Sequence, residues 1–234
     1  MTWKQMFTSS IGKKLTMALT GIFLITFLIV HAGINACMWN ATGKSSDHGR
    51  MFNEAAHFMG SMIVIRIIEI GLFIFFFVHI IQGLSLEVYN RTKRGTAYSV
   101  DYGNKGSKWY SRSMGLLGTI ILIFLIVHWT QFWIPSRFTG VAEVTYTTDQ
   151  GPIHNLFALM QSTFTQPWVV ILYVLACVSL GYHLAHGFQS AFKTIGVHNR
   201  KYHAMLTAIG YGFSIIISVV FAMMPISMYL KWVH

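Results

Sequence analysis

Polar residues in this chain are gathered into a few stretches, and five long apolar blocks separate them. The blocks run from about Leu15 to Cys37, Phe58 to Leu86, Met114 to Ile134, Pro167 to Phe188 and Ala204 to Ile226. Each is close to or longer than the ~20 residues an α-helix needs to cross a bilayer. None keeps the polar face that a helix of a soluble bundle turns to water. No run alternates with period two for long enough to make a strand worth assigning. The pattern predicts an all-α fold: an integral membrane bundle of five transmembrane helices, forming one domain over residues 1–234. The longest segment between blocks, Pro135 to Gln166, has room for a short surface helix near Ile153 to Met160.

Composition sharpens this. Charged residues make up 10% of the chain and hydrophobic residues 54%, where a soluble domain carries about 25% charge. Cys37 and Cys177 lie in or beside apolar blocks, and two cysteines do not make a disulfide framework. The first block is too long for the core of a signal peptide and no small-residue cleavage site precedes it, so it is expected to stay in the membrane.

Charge then orients the bundle. Basic residues favour the cytoplasmic side of short loops. Lys4, Lys13 and Lys14 precede the first block, and Arg91, Lys93, Arg94, Lys105, Lys108 and Arg112 link the second to the third. Lys193, Arg200 and Lys201 link the fourth to the fifth. The opposite side has Lys44, Arg50, Arg137 and Lys231, twelve against four, and Arg66 falls inside the second block. The N-terminus is expected in the cytoplasm and the C-terminus outside. Most of the net charge of +10 would face the cytoplasm, where it suits anionic membrane lipid or an acidic partner. No nucleic-acid motif accompanies it, so no nucleic acid is expected as partner.

The histidines carry the candidate chemistry. Phe27-Leu28-Ile29-Val30-His31 recurs as Phe124-Leu125-Ile126-Val127-His128, with Gly21 and Gly118 each ten residues before the histidine. The second block has a looser copy, Phe75-Phe76-Phe77-Val78-His79, and the fourth holds His183 and His186. One imidazole in a span can do no more than hydrogen-bond a neighbouring helix. The same placement in four helices points to function, because an imidazole in lipid is costly without a partner. The first and third helices run outward and the second and fourth inward. His31 and His128 should therefore lie near the outer side, and His79 and His183 near the cytoplasmic side. Zinc or a di-metal carboxylate centre would want more ligands at each site, including cysteine or acidic groups. Two imidazoles per site suit a haem iron, whose remaining positions are axial. Filling both axial positions favours electron transfer over oxygen binding. No Cys-x-x-Cys-His occurs, so covalent attachment is not expected. His183 and His186 are one turn apart on roughly one face. Either could be the fourth-helix ligand. His183 lies deeper and is preferred, which leaves His186 to bond a propionate or quinone, or to pack.

These residues carry a family resemblance over nearly the whole chain. Its quotations are Ser10-Ile11-Gly12-Lys13-Lys14, the late histidine of each of the first four helices, and His183-Leu-Ala-His-Gly-Phe-Gln-Ser-Ala-Phe-Lys-Thr-Ile-Gly196. The chain resembles the membrane cytochrome b subunit of succinate dehydrogenase and fumarate reductase complexes, of the single-subunit, five-helix, two-haem kind (the cytochrome b558 type). The resemblance implies two b-type haems. The outer one would be held by the counterparts of His31 and His128, and the inner one by those of His79 and His183. It implies a multi-pass protein of the bacterial cytoplasmic (inner) membrane that works in the respiratory chain and the tricarboxylic acid cycle. Its substrate would be a quinone, menaquinone in most such members. Its partners would be an iron–sulfur subunit and a flavoprotein subunit carrying FAD, and a dimer of the whole complex is compatible with it. Succinate and fumarate would react on the flavoprotein, since this chain has neither a dinucleotide fingerprint nor a cysteine cluster.

Quinol oxidation releases protons, and the resemblance implies an acidic acceptor near the outer end of the second helix. Glu54 is the nearest match, with His57 beside it, and a carboxylate or imidazole at the aqueous boundary can accept protons. Glu54 reads equally as part of a helix cap and solvated turn. Arg66 and Glu69, one turn apart, could satisfy each other's charge within the membrane, or Arg66 could hold a haem propionate. Some relatives have a glutamate two positions before the fourth-helix ligand. Gly181 stands there in this chain, so that proton route is absent or differently built. Trp109, Trp129, Trp133 and Trp168 look like interfacial anchors. Gly210 and Gly212 with Ser214 and Ser218 suit close helix contacts, and Pro225 is expected to bend or end the fifth helix. Three other functions fit the same histidines: another two-haem quinone-linked anchor, a transmembrane ferric or ascorbate reductase, and a proton-coupled transporter without haem.

Overall fold

The structure is a computed structural model that describes residues 9–43, 46–94, 108–146, 151–197 and 199–233. Lys4, Lys44 and Lys105 of the charge count lie outside the described residues. The apolar runs wind into long helices, because a segment in lipid must satisfy its own backbone groups. These are α1 (Ser10–Ala36), α3 (Ile63–Arg94), α4 (Met114–His128), α6 (Pro167–Thr194) and α7 (Arg200–Tyr229). With the turns that prolong α1 and α4, all five are long and apolar enough to cross a membrane. Pro167 opens α6, where its missing N–H costs nothing.

Four boundaries differ from the expected ones. The second apolar block is broken: residues 58–61 belong to a separate amphipathic helix, α2 (Arg50–Ser61), and Met62 is extended before α3 begins. The third block does not remain α-helical. Wider π-type turns, Trp129–Trp133 and Pro135–Thr139, follow His128. Pro135, with no N–H to give, helps to spoil the regular ladder there. The fifth helix continues one turn beyond the fully buried Pro225, to Tyr229. The short surface helix, α5, begins at Leu156 rather than Ile153 and runs to Thr163. Asn155 caps it by accepting from the Ala158 N–H at 3.0 Å. Ile153–His154 (β2) pairs instead with Glu143–Val144 (β1) as an antiparallel bridge.

The chain forms two compact units. The first comprises Met1–Phe27, Gly71–Leu122 and Ser179–Ile215, and the second Leu28–Ile70, Ile123–Val178 and Ile216–His234. In the first unit the Ser179 hydroxyl donates to the Leu117 carbonyl at 3.1 Å. Gly210 permits a close approach of α7 to α6, since a Cβ there would lie 2.9 Å from the Phe188 ring. Gly212 meets nothing within 4 Å, so only one of the two expected contact glycines is used this way.

The second unit has an apolar core that includes Met38, Phe52, Phe157, Met160, Phe164 and Tyr173. Gly49 introduces α2 with a positive φ of 80°, and a side chain there would collide with the Phe157 ring. Asp47 accepts from the N–H groups of Gly49 and Met51 and from Asn40 Nδ2. Burial pushes its carboxyl up, but these donors outweigh it and hold the group below its ordinary value. Asn53 is fully buried. Its Nδ2 donates to the Tyr146 hydroxyl at 2.8 Å and to Asn155 Oδ1 at 3.0 Å, and its Oδ1 accepts from the Phe157 N–H at 2.9 Å. Asn53→Ala strands a buried N–H and frees the α5 cap, at a cost of about 3 kcal/mol. Hydrogen exchange should show α5 and the β1–β2 bridge opening first in that variant, with the spanning helices still protected.

Candidate functional site

Each compact unit holds one histidine pair. In the second unit His31 of α1 meets His128 of α4, with ring centroids 5.9 Å apart and the rings 86° to each other. In the first unit His79 of α3 meets His183 of α6 at 6.3 Å and 66°. All four side chains are half-buried. His186, one turn beyond His183, is also half-buried, and His183 is the ring that His79 contacts. Gly187 has open space around it.

Aromatic rings wall the His31–His128 pair. Phe124 stacks on His128 at 5.6 Å, Phe132 lies 5.4 Å from it, and Phe221 lies 5.6 Å from His31. Tyr173 donates its only hydroxyl proton to Gln131 Oε1 at 2.6 Å, which turns an oxygen lone pair toward His128 Nδ1 at 3.4 Å. Asn35 Nδ2 donates to the His31 carbonyl at 2.8 Å and lies 3.4 Å from His31 Nδ1. The π-type turn begins directly after His128, and such turns gather at functional positions because they re-aim side chains.

The His79–His183 pair is bordered by the two glycines of the internal echo. A Cβ on Gly21 would sit 3.7 Å from His79 Cε1, and one on Gly118 would sit 3.9 Å from His183 Cε1. Larger side chains at either position would enter the space beside the rings. Thr20 lies 3.0 Å from His79 Nδ1. His183 Nδ1 is buried without a hydrogen-bond partner among the described residues. An orphaned buried polar atom costs about 1–3 kcal/mol.

These features fit a metal held axially between two imidazoles. A nitrogen about 2 Å from the metal, with its ring centroid about 1 Å further on, sets opposed centroids about 6 Å apart. Both pairs have that spacing. Among the described residues no cluster of three or more His, Cys, Asp or Glu side chains is placed to hold a metal ion. Two imidazoles from different helices are the donors that each pair offers.

The remaining expected residues, Glu54, His57, Arg66 and Glu69, fall in the second unit. Glu54 lies on α2, outside the spanning helices, and its carboxylate is bound by Arg50 at 2.8 Å. His57, three residues on, is exposed. Arg66 does reach Glu69, at 3.3 Å. That carboxylate has further partners that helical spacing could not reveal: Trp133 Nε1 donates to it at 2.6 Å, and Arg137 donates through Nε and Nη2 at 3.2 Å. Thr20, Gln131 and Tyr173 were likewise silent in the sequence, because a hydroxyl or amide in a span has no periodicity of its own. The glycine echo was the one advance signal of what borders the His79–His183 pair.

No family model, curated protein or solved structure matches the chain.

Proposed function

We propose that this chain is the dihaem, quinone-reactive membrane subunit of an electron-transfer complex of the succinate dehydrogenase and fumarate reductase kind. The observation that carries the reading is the meeting of histidines from different helices as two separate pairs, each at the spacing of opposed axial ligands. His31 and His128 would hold one b-type haem and His79 and His183 the other. Such a group, when bound by these histidines, would supply one-electron transfer. The chain's own part is to bind and orient. Phe124, Phe132 and Phe221 keep water from the first pair. Gly21 and Gly118 leave room beside the second.

Redox partners are needed because the chain has two cysteines in all, too few for an iron–sulfur cluster. An iron–sulfur subunit and an FAD-carrying flavoprotein are the proposed partners, with menaquinone as the membrane substrate and Glu54 with His57 as proton acceptors. The excess of basic residues before α1, between α3 and α4 and between α6 and α7 supports a cytoplasmic N-terminus in a bacterial inner membrane. It also supports docking of the soluble subunits on that face.

The test is the reduced-minus-oxidised spectrum and haem count of the purified protein. The expected result is two low-spin haems per chain and co-purification of flavin- and iron–sulfur-containing polypeptides. Protein without haem would leave the transporter reading. Two haems with other soluble partners would leave a different quinone-linked dehydrogenase.

A further inference from the structure

Thr20 sits on α1, the helix that supplies His31 to the other pair, yet it reaches His79 of α3. It is 2% exposed. A threonine hydroxyl has one proton and lone pairs to accept others. The Thr20 hydroxyl lies 2.8 Å from the Thr16 carbonyl, the usual back-bond of a threonine within a helix, and 3.3 Å from the Met17 carbonyl. With its proton turned to its own helix, the oxygen presents only lone pairs to His79 Nδ1, 3.0 Å away. A lone pair can bond Nδ1 only if Nδ1 carries the hydrogen. A neutral imidazole protonated at Nδ1 has its free lone pair on Nε2.

We propose that Thr20 is a positioning residue that locks His79 as the Nδ1–H tautomer and thereby presents Nε2 as the ligating atom. The lock is one-sided. His183, the other ring of the pair, has no hydrogen-bond partner on Nδ1 among the described residues, so the two rings are unequal. The same helix interface carries a second polar contact, Lys13 Nζ to the Ser85 hydroxyl at 2.9 Å. Lys13 is seven residues before Thr20 and Ser85 six after His79, so α1 and α3 are held in one register at both contacts. The α1–α3 register therefore sets the tautomer.

The consequence at a haem rests on the proposed function, whereas the tautomer does not. The experiment uses the full chain in detergent, compared with Thr20→Val, which keeps the shape, and Thr20→Ser, which keeps the hydroxyl. Nitrogen-15 spectra of labelled histidine in haem-free protein, with His79 assigned by its loss in His79→Gln, report the tautomer directly. Wild type and Thr20→Ser should show Nδ1–H alone, and Thr20→Val a mixture. On haem titration, Thr20→Val should weaken one of two sites 10–100-fold, the usual effect of removing such a supporting bond. It should also raise the midpoint potential of that site, because the ligand becomes a poorer electron donor. An unchanged tautomer in Thr20→Val, or equal damage in Thr20→Ser, overturns the proposal. A locked tautomer in a chain that takes up no haem upholds the lock and overturns the functional reading instead.

Discussion

On the proposed function, His183→Ala should leave the purified protein with one haem per chain instead of two, whereas His186→Ala should leave both. An axial imidazole has no substitute at its site, because among the described residues no third histidine, cysteine or carboxylate joins either pair in a cluster able to hold a metal. His183 is the ring that faces His79, at 6.3 Å between centroids. His79→Ala should therefore remove the same haem as His183→Ala, and the double variant should lose no more than either single one. His31→Ala and His128→Ala should likewise share one phenotype, the loss of the other haem. The two classes should differ in the residual spectrum, since one pair lies among Phe124, Phe132 and Phe221 and the other beside two glycines. Pyridine haemochrome counts with a reduced-minus-oxidised spectrum on each variant make the comparison. A full haem complement in His183→Ala with a loss in His186→Ala would reassign the ligand by one turn. An additive loss in the His79 and His183 double variant would break the pairing itself.

Glu69→Ala should be among the most destabilising changes outside the histidines. One carboxylate answers two guanidinium groups, Arg66 at 3.3 Å and Arg137 at 3.2 Å, and takes the Trp133 N–H at 2.6 Å. Removing it strands two positive charges and an indole donor in a segment where water is scarce. Breaking a buried pair from one side costs about 3–5 kcal/mol. This network is only half-buried, with Glu69 20%, Arg137 23% and Arg66 45% exposed, so the cost stays at or below the lower end, about 3 kcal/mol. Glu69→Gln keeps an acceptor for Trp133 but loses the charge, so it should fall between wild type and Glu69→Ala. Thermal unfolding in one detergent, followed by tryptophan fluorescence, should rank the three in that order. Equal stability of Glu69→Ala and wild type would mean that water or lipid headgroups already neutralise the two arginines. The haem count should not change in Glu69→Gln, which separates this structural role from that of the ligands.

Much of the architecture was legible from local pattern alone. Five apolar blocks of spanning length become five helices, since in lipid a long apolar segment has one way to satisfy its backbone. Ends were less legible. The helix assigned from Phe58 actually starts at Ile63, because α2 is held as a separate amphipathic piece by Asn53 and Gly49 packing against α5. Those partners are over a hundred residues away along the chain, and periodicity carries no trace of them. The turn after His128 is similar: the apolar run predicts plain α-helix, while the structure has wider turns before and after Ile134.

By itself, the sequence determined that the chain is helical and apolar over five spans, and that each of the first four carries a late histidine. It also determined that basic residues crowd alternate connections. Those properties follow from neighbours within a few turns, which is the range over which helical periodicity acts. Tertiary structure alone decided which imidazoles meet, and that Glu69 serves a second arginine. It also decided that Gly21 and Gly118 border a histidine pair to which their own helices give no histidine. Contacts such as Thr20 with His79, 59 residues apart, or Trp133 with Glu69, 64 apart, depend on how helices pack. A span facing lipid pays little to rotate its apolar surface, so only the few polar contacts choose among rotations, and they are made between segments that the linear pattern treats as strangers.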